Sequence, residues 1–245
     1  MLRKYNCNLH VHTCLSPCGD LDMHPSAIVK QCLESKLDII AICDHNASEN
    51  VPHVMKAAAD TPLTVIPGME MASREEVHLL ALFESMEQLL DLQDLVYANL
   101  SGENDEKVFG IQAIVNEAGE VEGFNERLLI GATDLSLSDA VEAIHARGGL
   151  AVACHIDRPS FSVISQLGFV PREVPFDALE ISANLDVKAA RGRYPELESY
   201  PFITSSDAHF IHDIGRVCTR MVLGGARLSE IRMALEASQG RYVLE

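Results

Sequence analysis

Short apolar runs alternate along this chain with stretches in which apolar residues recur every three or four positions. That rhythm predicts βα units around a parallel sheet. Seven runs read as strands: residues 5–10, 38–43, 63–67, 77–83, 150–155, 178–181 and 202–205. Between the first two, Pro25 can open a helix, because a first turn does not need its missing N–H; Ile28, Val29, Cys32, Leu33 and Leu37 then fall at helical spacing. Further helices are predicted over 89–100, 137–147 and 228–238, the last two stopped by Gly148-Gly149 and by Gly240. Residues 101–133 break the rhythm. There, apolar runs at 109–115 and 121–129 flank the turn-prone Asn116-Glu117-Ala118-Gly119-Glu120, so an inserted β-hairpin is expected.

The polar residues that end these runs carry the chemistry. His10-Val11-His12, Asp44-His45, Glu70, His78, His155 and Asp207-Ala208-His209 stand where strands give way to loops, and a barrel of parallel strands gathers such ends on one face. Residues two apart on a strand point the same way, so His10 with His12, and Asp207 with His209, can converge. Gly68 after Pro67 permits a sharp bend that turns Glu70 into the cleft. The side chains of Asp44 and His45 diverge, leaving His45 as the ligand and its neighbour as support. Asp20 and Asp22 both follow the loop Ser16-Pro17-Cys18-Gly19, and spacing alone does not choose between them. His53, His145 and His212 read as structural or surface residues.

Composition narrows the classes. At 245 residues and 47% hydrophobic content the chain can build one large α/β domain. Its apolar runs are too short to span a bilayer, and no apolar signal core follows Met1, so a cytoplasmic protein without membrane contact is expected. The seven cysteines form no pair of CxxC motifs and read as free thiols. A net charge of -17 argues against long nucleic acid as a partner, because counterion release needs a Lys/Arg-rich surface. A small phosphorylated substrate remains compatible, since bound cations reverse the local field.

The ordered set His10-Val-His12-Thr13, Asp44-His45-Asn46, Pro67-Gly-Met-Glu70 with His78, and His155 with Ser206-Asp207-Ala-His209 resembles the PHP family, the polymerase and histidinol phosphatase superfamily of metal-dependent phosphoesterases. The resemblance spans the chain. It implies a distorted (β/α)7 barrel over 1–245, carrying the hairpin, with two or three divalent ions of zinc, manganese or iron. It also implies a ligand set. His10, His12, Glu70 and Asp207 would hold one ion, Glu70, His78 and His155 a second, and His45, His209 and Asp20 a third; the interval from His12 to Asp20 is longer than in the simplest members.

The expected chemistry is hydrolysis of a phosphate ester by metal-activated hydroxide, with Glu70 bridging two ions, Asp207 holding one of them and Arg158 gripping phosphate. Lys188, Arg191 and Arg193 are further phosphate candidates. No nucleophile elbow or phosphate-cradling glycine loop offers another route. Alternatives are a short-oligonucleotide exonuclease, an amidohydrolase-type barrel and a metal-stabilised regulatory module without catalysis.

Overall fold

The computed structural model describes residues 1–244. All seven predicted strands form, as β1 (Arg3–Val11), β2 (Ile39–Ile42), β3 (Thr64–Ala72), β4 (His78–Leu82), β7 (Leu150–Ala153), β8 (Ala178–Ile181) and β9 (Phe202–Thr204). The expected hairpin is β5 (Ala113–Val115) with β6 (Val121–Phe124). It is shorter than its apolar runs, because Phe109 ends the one-turn helix α4 (Glu106–Phe109). Helices α1 (Pro25–Glu34), α2 (Val51–Ala58), α3 (Met86–Asn99), α5 (Leu137–Ala146), α6 (Val163–Leu167), α7 (Val187–Arg193) and α8 (Leu228–Leu235) complete the fold with two late strands, β10 (Thr219–Leu223) and β11 (Tyr242–Leu244). Helix α3 begins a turn before its apolar pattern because Ser85 and Gln88 form a reciprocal capping box.

The strands make a nearly closed, barrel-like sheet in the order β11-β10-β1-β2-β3-β4-β7-β8-β9. It is not wholly parallel, as the sequence suggests it should be: β4 runs antiparallel to both β3 and β7. Five residues separate β3 from β4, far too few for a parallel crossover. The strand order thus stays that of a barrel while one stave is reversed, and its first residue, His78, is brought to the same rim as the ends of the others.

Side chains alternate between two cores. Ile39, Ala41, Cys43, Ile66, Leu80, Val152, Cys154 and Ala178 fill the lumen, and α8 packs Leu228, Ile231 and Ala234 into the same cluster, closing the end away from the histidines. Ile40, Ile42, Met69, Met71, Leu79 and Leu179 face the outer helices. On β1 the alternation slips. Cys7 and Leu9 belong to the lumen, yet Val11 belongs to the outer core, and the register with β2 shifts between Asn8 and Val11. A bulge there turns His10 and His12 into the lumen directly after Leu9.

The seam between β1 and β9 is closed mostly by side chains. From Arg3 to Cys7 the free edge of β1 is taken by β10. Beyond it, Asn8 Nδ2 donates to Ser206 Oγ at 2.6 Å, Ser206 N–H donates to Asn8 Oδ1 at 3.0 Å, and His12 N–H reaches the Ala208 carbonyl at 3.0 Å. Asn8→Ala removes both side-chain bonds and strands a buried N–H next to Asp207. We predict a loss of about 1–3 kcal/mol, read as a lower urea midpoint of the metal-free protein; an unchanged midpoint would show that the seam does not depend on Asn8.

Candidate metal centre

The reversed stave and the bulge deliver six histidines and two carboxylates to one end of the barrel. His155 and Asp207 follow β7 and β9 in the left-handed backbone region, with φ of 28° and 48°. Neither is glycine, so each turn is strained, as backbone at functional positions often is. The turns tip both side chains inward over the lumen. His10 and His12 are fully buried, Glu70 and His155 nearly so.

Four ligand atoms lie within 4.8 Å of one another, and five of their six separations are those of a tetrahedron. His10 Nε2 lies 3.1 Å from His12 Nε2, 3.2 Å from Asp207 Oδ1 and 3.4 Å from Glu70 Oε2; His12 Nε2 lies 3.1 Å from Asp207 Oδ1 and 3.3 Å from Glu70 Oε2. Metal–nitrogen and metal–oxygen bonds of about 2.0–2.1 Å set tetrahedral edges of about 3.3 Å. The observed edges match. The hydrogen bonding supports the same fit, because both rings are spoken for at Nδ1: His10 faces Glu180 at 3.0 Å, and His12 faces Ser16 Oγ at 2.9 Å. Ser16 Oγ donates onward to Asp44 Oδ1 at 2.7 Å, so it accepts from His12. In the neutral rings the Nε2 lone pairs then face each other and two carboxylates, an arrangement that calls for a cation. Glu70 Oε2, buried there, accepts no hydrogen bond.

Glu70 joins this set to a second one. Its Oε2 also lies 3.1 Å from His45 Nδ1, while Oε1 faces His78 Nδ1 at 2.9 Å and His155 Nε2 at 3.3 Å. His12, His45 and His209 form a further group, with the rings of His12 and His209 stacked 4.1 Å apart. The electrostatics follow the crowding. Burial alone would deprotonate His12, but the hydrogen bond to Asp207 and the nearby Glu70 carboxylate raise its pKa to about 9; burial and the charge of His12 lower His209 to about 4. Burial works against the Glu70 carboxylate as well, yet His78 and His10 hold it well below the usual range.

The model of the PHP domain matches residues 8–157, and a PHP-associated model matches residues 193–239. This chain belongs to the PHP family. The family is one of metal-dependent hydrolases. Endonuclease Q from Pyrococcus furiosus, a lesion-specific endonuclease, shares the PHP fold with a TM-score of 0.75 at 18% identity, over 98% of this chain and 58% of that one. A protein from Bifidobacterium adolescentis described as a metal-dependent phosphoesterase aligns at a TM-score of 0.55 and 17% identity, over 83% of this chain and 87% of that one. The uncharacterized protein YqxK of Bacillus subtilis is 32% identical over 117 residues, which are 46% of this chain and 29% of YqxK. The chain thus spans well under two thirds of endonuclease Q and of YqxK.

One expectation is overturned. The acidic composition argued against long nucleic acid, yet endonuclease Q, which shares this fold over part of its length, is found in complex with a 27-mer duplex substrate that has an abasic lesion at the active site. Net charge is a property of the whole surface, whereas cations in a cleft set the field where a phosphate docks.

Other predicted residues fall on both sides of the PHP centre. Arg158 lines its mouth with Cys18, Ile130, Ser160 and Phe161, and Arg158 Nη1 pairs with Asp207 Oδ2 at 2.6 Å. Asp20 stands outside every ligand group: its Oδ1 accepts from the Asp22 N–H at 2.9 Å, and Asp22 itself is exposed. Three basic candidates lie away from the mouth. Arg191 donates to the Tyr200 carbonyl at 3.0 Å and covers the Phe202 ring, Arg193 lies over Tyr194, and Lys188 borders a surface hollow with Cys218 and Arg220. Helix α7 points its basic residues down the outside of the barrel. His145 is structural, pairing with Asp177 at 2.8 Å. Two buried supports went unread in the sequence, Ser16 and Glu180. No helix among the described residues is long and apolar enough to cross a membrane.

The shifted histidines predict how the metal-free protein responds to pH. His12 holds its proton more tightly folded than unfolded, where histidine titrates near 6.5, so its contribution is full below pH 6.5 and lost as pH climbs through about 9. His209 has the opposite shift, and its contribution is lost as pH falls from 6.5 through about 4. Melting of chelated protein should peak between these limits. Metal needs neutral imidazole, so the gain in melting temperature on adding zinc or manganese should grow from pH 6.5 to 9; a gain that shrinks over that range would contradict the centre.

Proposed function

We propose that this chain hydrolyses a phosphate ester at the Glu70 centre. The observation that carries the reading is the placement of Arg158 on Asp207, whose other oxygen, Oδ1, belongs to the tetrahedral set. His10, His12, Glu70, Asp207, His45, His78 and His155 would hold divalent ions, which would supply Lewis-acid polarisation, activation of water at neutral pH and neutralisation of developing charge. The protein residues do the rest. Glu70 presents one oxygen to each donor set and so fixes their spacing. Arg158 is steered by Asp207 through Nη1, and a guanidinium carries five donors, so it can grip a phosphate oxygen without leaving its carboxylate. Ile130 and Phe161 give the mouth an apolar rim.

The substrate panel that tests this should hold phosphate monoesters, nucleotides, short oligonucleotides, an amide and a duplex with an abasic site. The duplex belongs there because 98% of the chain superposes on endonuclease Q. Turnover of the amide alone would favour the amidohydrolase alternative, and no turnover with metal bound the regulatory one. On the substrate that is turned over, Arg158→Ala should cost about 10- to 100-fold in kcat/KM, the worth of a charged hydrogen bond, at unchanged metal content. Arg158→Lys should recover part of it. Glu70→Gln should cost about 100-fold or more, whereas Asp20→Asn, outside the ligand groups, should stay close to the parent. Equal losses at Glu70 and Asp20 would sink the assignment.

A further inference from the structure

Glu180 is the one acidic residue of β8, in the short apolar run Ala178-Leu-Glu-Ile181. Ala178 belongs to the lumen cluster and Leu179 to the outer one, so alternation turns Glu180 into the lumen. It is 1% exposed. A carboxylate buried so deeply is costly unless each oxygen is engaged, and here each is. Oε1 and Oε2 lie 3.2 and 3.0 Å from His10 Nδ1, and Oε2 also accepts the backbone N–H of His155 at 3.1 Å. One step further along the chain, the Ile156 N–H donates to the Glu180 carbonyl at 2.8 Å, tying the same turn to β8 a second time.

We propose that Glu180 is the positioning residue of the metal centre, acting on both donor sets at once. By accepting from His10 Nδ1–H it holds that ring in the tautomer whose Nε2 faces His12, Glu70 and Asp207. By accepting from His155 N–H it holds the left-handed turn at φ 28° that aims the imidazole at Glu70 Oε1. Without it the ring of His10 is free to exchange tautomers, and the strained turn loses the contact that offsets its cost. The distance between the two sets is then no longer fixed. Partners of this kind behind a metal-bound histidine raise metal affinity roughly 10- to 100-fold.

The inference rests on the metal centre proposed above, and titration of the full chain separates the two. Chelated parent and Glu180→Gln protein are titrated with cobalt(II), followed by its d–d absorption, and with zinc in competition with a chromophoric chelator. Gln keeps the shape and one accepting oxygen but not the charge. The expected result is unchanged stoichiometry with at least one ion bound about 10- to 100-fold more weakly, together with a change in the nitrogen-15 shift of His10 Nδ1–H in the zinc-loaded protein as its charged acceptor is lost. Glu180→Asp, with the charge restored on a shorter stem, should bind between the two. A parent that binds no metal would overturn the centre itself. A variant that binds both ions as the parent does, with His10 shifts unmoved, would overturn the role of Glu180 alone, and loss of a whole equivalent would make Glu180 a ligand instead of a positioning residue. Far-ultraviolet circular dichroism of each variant establishes that the barrel is intact.

Discussion

The structure turns on one carboxylate held in a buried ring of imidazoles. Glu70 is 2% exposed, and five histidine nitrogens lie within 3.4 Å of its two oxygens. Such a group is tolerable only if positive charge surrounds it. Protons can supply that charge in part, which is why His12 is pushed up and Glu70 down. They cannot supply it fully, because His10 Nε2 and His12 Nε2 lie 3.1 Å apart and two N–H groups cannot point at each other across that gap. A cation between the sets resolves the conflict that protons leave.

Several departures from regular structure serve this one point. The bulge in β1 puts Leu9 and His10 on the same side, the five-residue connection reverses β4 so that it starts at the rim, and the left-handed turns at His155 and Asp207 tip ligands over the lumen. Buried polar side chains fix the loops around these features. Asp44 accepts from the Thr13 N–H, Thr13 Oγ1 and Ser16 Oγ to fix the loop behind His12. Asn46 Nδ2 donates to the Leu129 and Gly131 carbonyls, and its Oδ1 accepts from the Ala72 N–H; the segment that brings Ile130 to the mouth is thereby tied to the end of β3.

Much of this was legible from residue pattern. The seven staves, the hairpin and the convergence of His10, His12, Glu70 and Asp207 follow from alternation and from polar residues at strand ends. What escaped was context set by partners distant in sequence. Glu180, alone in a four-residue strand, has no local feature that distinguishes it from a solvated glutamate; its meaning comes from His10, 170 positions away. Asp20 fits a spacing, but what the structure gives it is one oxygen on the Asp22 N–H and its own N–H on the His209 carbonyl, neither of which the spacing foretells. Arg191 follows β8 closely, yet the helix that carries it leads down the outer wall. Strands β10 and β11 are short and half-exposed, and only the pairing of β10 with β1, and of β11 with β10, gives them a place. Charge counted over the whole chain, finally, says little about a cleft whose field the bound ions would set.

The central claim is that Glu70 bridges two ions. Electron paramagnetic resonance of the metal-free protein reloaded with manganese(II) tests it most directly, since two ions sharing a carboxylate are exchange-coupled. The expected spectrum at full loading is that of a coupled pair, collapsing to isolated ions in Glu70→Gln. A six-line signal of isolated manganese in the parent at two ions per chain would contradict the bridge.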